Sequence, residues 1–327
     1  MSPRMKILVT GGAGYIGSHL VERLLRRGDQ VFAIDNLSTG KLANIQHHVG
    51  KDQFRFLNDT ILNESLLDPL VPQVDLVYHL AALVGVKNVV ADPLAAIKTN
   101  VTGTEMVLSA AFKYWKKVVL ASTSEIYGKS AKIPFHEEDD RVLGSTTVGR
   151  WSYSTSKAID EHFAFAYAAK GLPVAIVRYF NSYGPRLDEK GYGSVVANFI
   201  RQALNGEPIT VHGDGLQSRC FTYIDDTVDG TILVGELKAA EGLVFNIGND
   251  SETTILELAK AIKRLAGSRS EIIFIPYKEY YGEGFEDTRR RVPCIDRARE
   301  VLGFIPKVKL EEGLTRTIAW CREHYRH

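Results

Sequence analysis

The sequence predicts an α/β protein: a doubly wound parallel sheet followed by a smaller mixed α/β lobe. Three observations predict it. A strand-forming run near the N-terminus, Lys6-Ile-Leu-Val-Thr-Gly11, passes through closely spaced glycines into a helical pattern. Apolar runs then alternate with helical patterns to about residue 180, and they are near-continuous, as strands buried on both faces require. Beyond Pro185 the alternation becomes irregular.

Each element follows in order. After the first strand, Tyr15 to Arg27 reads as a helix with Ile16, Leu20, Leu24 and Leu25 on one side, stopped by Gly28. A second strand, Gln30 to Asp35, ends in an acidic residue. This strand, glycine turn, helix and strand form the context of a Rossmann-like dinucleotide site. Glycines there let the backbone approach a pyrophosphate seated on the helix N-terminus. Gly11, Gly14, Tyr15, Ile16 and Gly17 are therefore candidate cofactor contacts. Asp35, followed by Asn36, would accept hydrogen bonds from ribose hydroxyls and repel a 2′-phosphate, favouring NAD over NADP.

Strands are expected at Val74 to Leu80, Val118 to Thr123 and Val174 to Phe180. The second of these brings Thr123, Ser124 and Glu125 to its C-terminal end, where ligands gather in such sheets. Further on, helices are expected near Val195 to Leu204, Ile224 to Leu237 and Thr254 to Leu265. Short strands are expected at Ile209 to His212, Val244 to Ile247 and Ile272 to Ile275. The domain reading is a cofactor-binding part over residues 1–180, joined by strand segments near 209–250, and a mainly substrate-binding lobe over 181–327.

A chain of 327 residues with 45% hydrophobic and 24% charged residues has an ordinary globular composition. A net charge of +1 gives no long-range reason to expect nucleic acid or an anionic membrane. Met1 to Met5 is too short for a signal peptide and no apolar run approaches ~18 residues, so a cytoplasmic protein is expected. Cys220, Cys294 and Cys321 lack metal-ligand spacing and read as buried or incidental thiols. His47-His48 reads as part of a solvated polar loop, and no metal is expected.

Tyr153-Ser-Thr-Ser-Lys157 carries the chemistry. A tyrosine and a lysine four residues apart on a helix share one face. A free phenol titrates near ~10, and a neighbouring ammonium with an oxidised nicotinamide favours its phenolate. Downstream of a dinucleotide turn, the pair points to hydride transfer between a sugar-like alcohol and bound NAD. Together with the spacing Gly11-x-x-Gly14-x-x-Gly17, it resembles the extended class of short-chain dehydrogenases/reductases along nearly the whole chain. The resemblance implies further cofactor contacts at Asp59, at Leu80, Ala81 and Ala82, and at Asn100, which would steady the active-site backbone. It also implies a homodimer through helices Leu94 to Lys113 and Ser154 to Ala169, with Ala158, Ile159, Phe163 and Ala166 as contact candidates.

The C-terminal half resembles nucleotide-sugar enzymes in two places, Arg178-Tyr-Phe-Asn181-Ser-Tyr-Gly-Pro-Arg186 and Gly213-Asp-Gly-Leu-Gln-Ser-Arg219. Asn181, Arg186, Arg219 and Arg291 are the substrate-binding candidates, since guanidiniums fork onto phosphate or carboxylate oxygens. Oxidation of a hexose at C4 gives a ketone with three fates: return of the hydride to the other face, loss of water across C5 and C6, or loss of CO₂ from a C5 carboxylate. Thr123-Ser124-Glu125 and the stretch Glu286 to Ile295, preceded by Tyr280-Tyr-Gly-Glu-Gly-Phe, resemble bacterial UDP-glucuronate decarboxylases. That resemblance implies decarboxylation of UDP-glucuronate. The 4-epimerases and 4,6-dehydratases are the alternatives, and a catalytically silent nucleotide-sugar sensor is the non-enzyme alternative. Which arginine meets the sugar carboxylate stays open.

Overall fold

The computed structural model describes residues 4–85, 89, 92–188, 194–276, 279 and 288–325. Its strands are β1 (Lys6–Thr10), β2 (Gln30–Ile34), β3 (Phe54–Leu57), β4 (Leu76–His79), β5 (Lys117–Thr123), β6 (Val174–Tyr179), β7 (Ser182–Tyr183), β8 (Ile209–His212), β9 (Ser218–Cys220), β10 (Thr222–Tyr223), β11 (Val244–Ile247), β12 (Glu252–Thr254), β13 (Ile272–Ile275) and β14 (Arg290–Arg291). The helices that matter for the site are α1 (Tyr15–Arg27), α2 (Glu64–Leu70), α3 (Pro93–Ile97), α4 (Gly103–Lys113), α5 (Trp151–Ala169), α6 (Val195–Asn205), α7 (Ile224–Glu236) and α8 (Ile255–Leu265).

Seven strands pair in parallel in the order β11-β6-β5-β4-β1-β2-β3. Strand order reverses between β1 and β4, which makes the crevice at their carboxyl ends the place for a ligand. Alternation along β1 divides the core in two. Ile7 and Val9 join Leu20 and Leu24 of α1 and Val228 of α7. Leu8 faces the other way, with Leu67 of α2, Val107 of α4 and Ala164 of α5. This doubly covered sheet is the Rossmann-like architecture that the sequence predicts.

Of the segments expected to join the sheet from residues 209–250, β11 does so, as its edge strand beside β6. β8 does not; it pairs in parallel with β13 in a separate two-stranded sheet. A further small sheet has the order β12-β9-β14. The expected helix over Leu94 to Lys113 is also interrupted, because Lys98–Thr102 forms a π-helical turn between α3 and α4.

Local signals end and begin the helices where the sequence places them. Gly28 takes the left-handed conformation, φ 95°, and its N–H donates to the Leu24 and Leu25 carbonyls. Thr254 and Glu257 form a reciprocal capping box at the start of α8. Helix α1 is fastened to later parts of the chain. Arg23 pairs with Asp225 and Asp229 of α7, Arg27 pairs with Glu236, and His19 Nε2 lies 2.9 Å from the Pro185 carbonyl oxygen.

Candidate active site

The glycine turn leaves no room for side chains. A Cβ on Gly17 would lie 2.0 Å from the Gly11 carbonyl oxygen, and one on Gly11 (φ 71°) would lie 2.8 Å from the Ala81 nitrogen. Gly14 caps α1 without a side-chain hydrogen bond, so the first helical N–H groups are left for an incoming anion. Tyr15 and Ile16, at the helix start, are partly exposed and pack on the core. Asp35 directly follows β2, which ends one residue earlier than expected, and its carboxylate also braces the turn, accepting from Ala13 N at 3.0 Å and Leu37 N at 2.8 Å. Asn36 Oδ1 accepts from Ser38 N at 3.1 Å. Asp59 accepts from Thr60 N and from Asn63 Nδ2 at 2.7 and 2.9 Å. Beyond β4, Leu80 N donates to the Thr10 carbonyl and Ala81 N to Thr10 Oγ1, at 3.1 and 3.2 Å, bringing Leu80, Ala81 and Ala82 to the crevice. Asn100 sits on the π-helical turn, where its Oδ1 accepts from Leu83 N at 2.8 Å and its Nδ2 donates to Ser156 Oγ at 3.1 Å. A cradle closed to any Cβ, bare helix N–H groups and a terminal acidic residue fit a dinucleotide.

Helix α5 carries Tyr153 and Lys157, and its first turn is tied to the end of β5. Ser154 Oγ donates to the Glu125 carbonyl oxygen at 2.7 Å. Thr123 Oγ1 accepts from Glu125 N at 3.1 Å, capping the short 3₁₀ turn that contains the buried Ser124. The Tyr153 hydroxyl is hydrogen-bonded to the Thr123 side chain. Thr123, Ser124, Glu125, Tyr153 and Lys157 are thus brought to one end of the sheet.

The electrostatics differ from the expectation in one respect. Desolvation first, then the Glu125 and Asp160 carboxylates, push the Tyr153 phenol above its ordinary value, with Thr123 pulling the other way. The Lys157 ammonium, for its part, donates to Asp160 Oδ2 at 2.7 Å, with both side chains almost fully buried. The protein's own charges therefore do not lower the phenol.

Glu125 is the hub of the substrate side. Burial pushes its carboxyl up, but the guanidiniums of Arg291, Arg150 and Arg219 overcome this and hold it below its ordinary value. Arg291 Nη1 lies 2.7 Å from one carboxylate oxygen and Arg150 Nη2 3.5 Å from the other. Arg219 and Arg291 are register partners on β9 and β14, and both are buried. Arg219 also donates Nη1 to the Ser218 carbonyl at 2.7 Å. Asn181 has a left-handed backbone, φ 29°, and its buried Oδ1 has no hydrogen-bond partner among the described residues. Arg186 is not brought to this cluster; it pairs with Glu22 of α1. The Tyr280-to-Phe285 run and Glu286 lie outside the described residues.

Three participants escaped the sequence reading. Arg150 stands three residues before Tyr153 and Asp160 three after Lys157, a helical spacing that was available as a signal. Glu161 was not visible, because its partners come from two other strands: Ser122 Oγ at 2.5 Å and Arg178 Nη2 at 2.6 Å. The His47-His48 reading also needs correction. His48 is buried, and Glu22, His47 and His48 bring ligand-type atoms within 4.8 Å of one another. Arg26 and Arg186 occupy the Glu22 carboxylate, and burial first, with His47 and Lys51 adding to it, lowers His48 to about 4.

A parallel sheet with a glycine turn, and a Tyr-x-x-x-Lys helix at its carboxyl end, define an extended short-chain dehydrogenase/reductase. The chain belongs to the GDP-mannose 4,6 dehydratase family, whose pattern matches residues 8–317. It is 44% identical to a UDP-N-acetyl-alpha-D-glucosaminuronate decarboxylase of Bacillus cytotoxicus, over 98% of each chain. It is 38% identical to UDP-glucuronic acid decarboxylase 1 of Xenopus tropicalis, over 99% of this chain and 74% of that one. The solved UDP-glucuronic acid 4-epimerase of Bacillus cereus, in complex with UDP-glucuronic acid and NAD, superposes with a TM-score of 0.87 at 31% identity, covering 98% and 100% of the two chains.

Proposed function

We propose that this enzyme binds NAD and decarboxylates a UDP-hexuronate, UDP-glucuronate or its 2-acetamido counterpart, after oxidation at C4. The observation that carries the reading is the grip of Arg291 and Arg150 on Glu125, one hydrogen-bonded step from the Tyr153–Thr123 pair. A plain 4-epimerase needs no such charged group beside its base. NAD, when bound, supplies a two-electron acceptor that takes a hydride from C4 and later returns it. The Gly11–Gly17 turn, Asp35 and the crevice at Leu80, Ala81 and Ala82 are the residues that would hold it.

Tyr153 takes the proton of the C4 hydroxyl and gives it back at the end, while Thr123 orients the phenol. Once C4 is a ketone, the C5 carboxylate belongs to a β-keto acid. Loss of CO₂ then requires that the C5–C6 bond stand out of the carbonyl plane, so that its electron pair flows into the enolate, which takes a proton from solvent at C5 before the C4 ketone is reduced. Arg291 and Arg219 supply guanidiniums for the anionic groups of the substrate. Glu125, held ionised, repels the sugar carboxylate and so favours its departure as neutral CO₂. Incubation of the purified protein with UDP-glucuronate and with UDP-N-acetylglucosaminuronate, followed by mass and NMR analysis, tests this. A decarboxylated UDP-sugar is expected; a C4 epimer of unchanged mass as the sole product overturns it.

The same reading includes a homodimer through the segment Leu94 to Lys113, which spans α3 and α4, and through α5. Leu94 and Ile97, and on α5 Ile159 and Phe165, are large apolar side chains left exposed, and Ala166 is exposed beside them. Of the four contact candidates, Ala158 and Phe163 are turned into the subunit's own packing. Ile159 and Ala166 remain for a partner.

A further inference from the structure

Lys157 and Asp160 lie one turn apart on α5, so both side chains leave the same face. Their contact is 2.7 Å, with side-chain exposures of 3% and 0%. Thr104 of α4 faces the same carboxylate and, with Lys157, favours its ionised form, while Asp160 Oδ1 has no hydrogen-bond partner among the described residues, so Lys157 is the group that holds it. Thr104 Oγ1 lies 3.0 Å from His79 Nε2, and His79 Nδ1 lies 2.7 Å from Thr10 Oγ1. Hydrogen-bonded polar side chains therefore run from the end of β1 through β4 to Thr104 of α4, which faces the carboxylate that holds Lys157.

We propose that Asp160 is a positioning residue for the Tyr153–Lys157 pair: its carboxylate fixes the Lys157 ammonium and offsets part of the positive charge felt by the phenol. The proposal rests on the reading of Tyr153 as the proton-transfer group. An enzyme that takes a proton from a C4 hydroxyl and later returns it needs a phenol that is neither a permanent phenolate nor too weak a base. Asp160 sets that balance.

The sign of its effect follows from the surrounding charges. The turn after β5 presents Glu125, paired with Arg291 and Arg150 and acted on by Arg219. Glu161, next on α5, is paired with Arg178 of β6 and acts on Arg141. His79 of β4 is kept neutral, because burial and then Lys157 lower it to about 3. Each of the other carboxylates has its own guanidinium, so removing the Asp160 charge leaves Lys157 unbalanced. Loss of an anion favours phenolate over phenol and amine over ammonium. The phenol then titrates at lower pH.

The test is an ultraviolet difference titration of NAD-saturated protein, with Tyr153→Phe as the blank that isolates this phenol among the other tyrosines. Asp160→Asn is expected to lower the phenol's midpoint by about one unit, a roughly tenfold gain in phenolate at a given pH. In a Lys157→Met background the same substitution should move it much less, because a buried Asp160 without the lysine's charge takes up a proton and has no charge left to remove. Asp160→Ser is the second variant if Asp160→Asn does not accumulate as folded protein, and it must shift the midpoint the same way. An unmoved midpoint, or an equal shift without Lys157, overturns the proposal. No sugar substrate enters the titration, so failure of the decarboxylation reading would show in product analysis alone.

Discussion

Glu125 and its arginines make the sharpest demand on a single side chain. Glu125→Gln keeps the shape and removes the charge, so it should leave NAD binding and UDP-sugar affinity largely intact. CO₂ release should fall about 10²-fold, read as product formation against substrate Kd. A variant that decarboxylates normally would remove Glu125 from the chemistry. The buried histidines make a second demand. His79 is lowered to about 3 and His48 to about 4, both by burial first, against an ordinary value of 6.5. The unfolded chain therefore binds more protons than the folded one between those limits. Stability is full above the ordinary value and is lost as pH falls toward the folded ones, by up to about 1.4 kcal/mol per pH unit for each histidine. Urea midpoints measured down this range should fall, and His79→Gln should flatten part of the slope. Residues whose roles depend on neighbours in sequence were legible: Gly11, Gly17, Tyr153 and Lys157. Which way the Arg186 side chain turns was not legible, because that depends on Glu22 of α1, which holds it here.

Among the elements, the glycine turn is the least tolerant. A Cβ at Gly17 would meet backbone, the Gly11 carbonyl oxygen at 2.0 Å, which no rotamer change relieves. Gly17→Ala should cost about 1–3 kcal/mol and abolish measurable NAD binding, read by thermal melting and by cofactor titration; unchanged binding would remove the turn from the cofactor site. Six of the seven strands of the main sheet were legible because burial on both faces makes their sequences continuously apolar; the edge strand β3, with Arg55 exposed, was not. The short β9, β12 and β14 were not, since two or three residues carry no period. The π-helical turn at Lys98–Thr102 escaped for a different reason: its cause is tertiary. Asn100 reaches across to Leu83 and Ser156, and a locally wider turn brings its amide to both. The hydrophobic spacing on either side reads as one helix.

For the whole molecule, the exposed apolar residues of α3 and α5 set the expectation for assembly. Sedimentation should give a dimer at micromolar concentration. Leu94→Glu combined with Ile159→Glu should give monomers whose melting temperature falls with loss of the partner. A wild type that sediments only as a monomer would refute the homodimer. No described helix is long and apolar enough to cross a membrane. The return of segments from 209–250 to the main sheet was legible only in part, because β11 joins it from far along the chain while β8 pairs with β13 instead.

The register of Arg219 beside Arg291 has a consequence in time. The glycine turn and Asp35 come from one short stretch of chain, whereas the guanidiniums around Glu125 arrive from three distant segments and meet only when β9 and β14 have paired. Loop closure over such spans is slow compared with closing a single βαβ unit. During refolding from urea, the capacity to bind NAD should therefore return before turnover does, and the lag between the two signals would time the arrival of the last strand. A protein caught in that interval would hold its cofactor with its Glu125 carboxylate not yet neutralised.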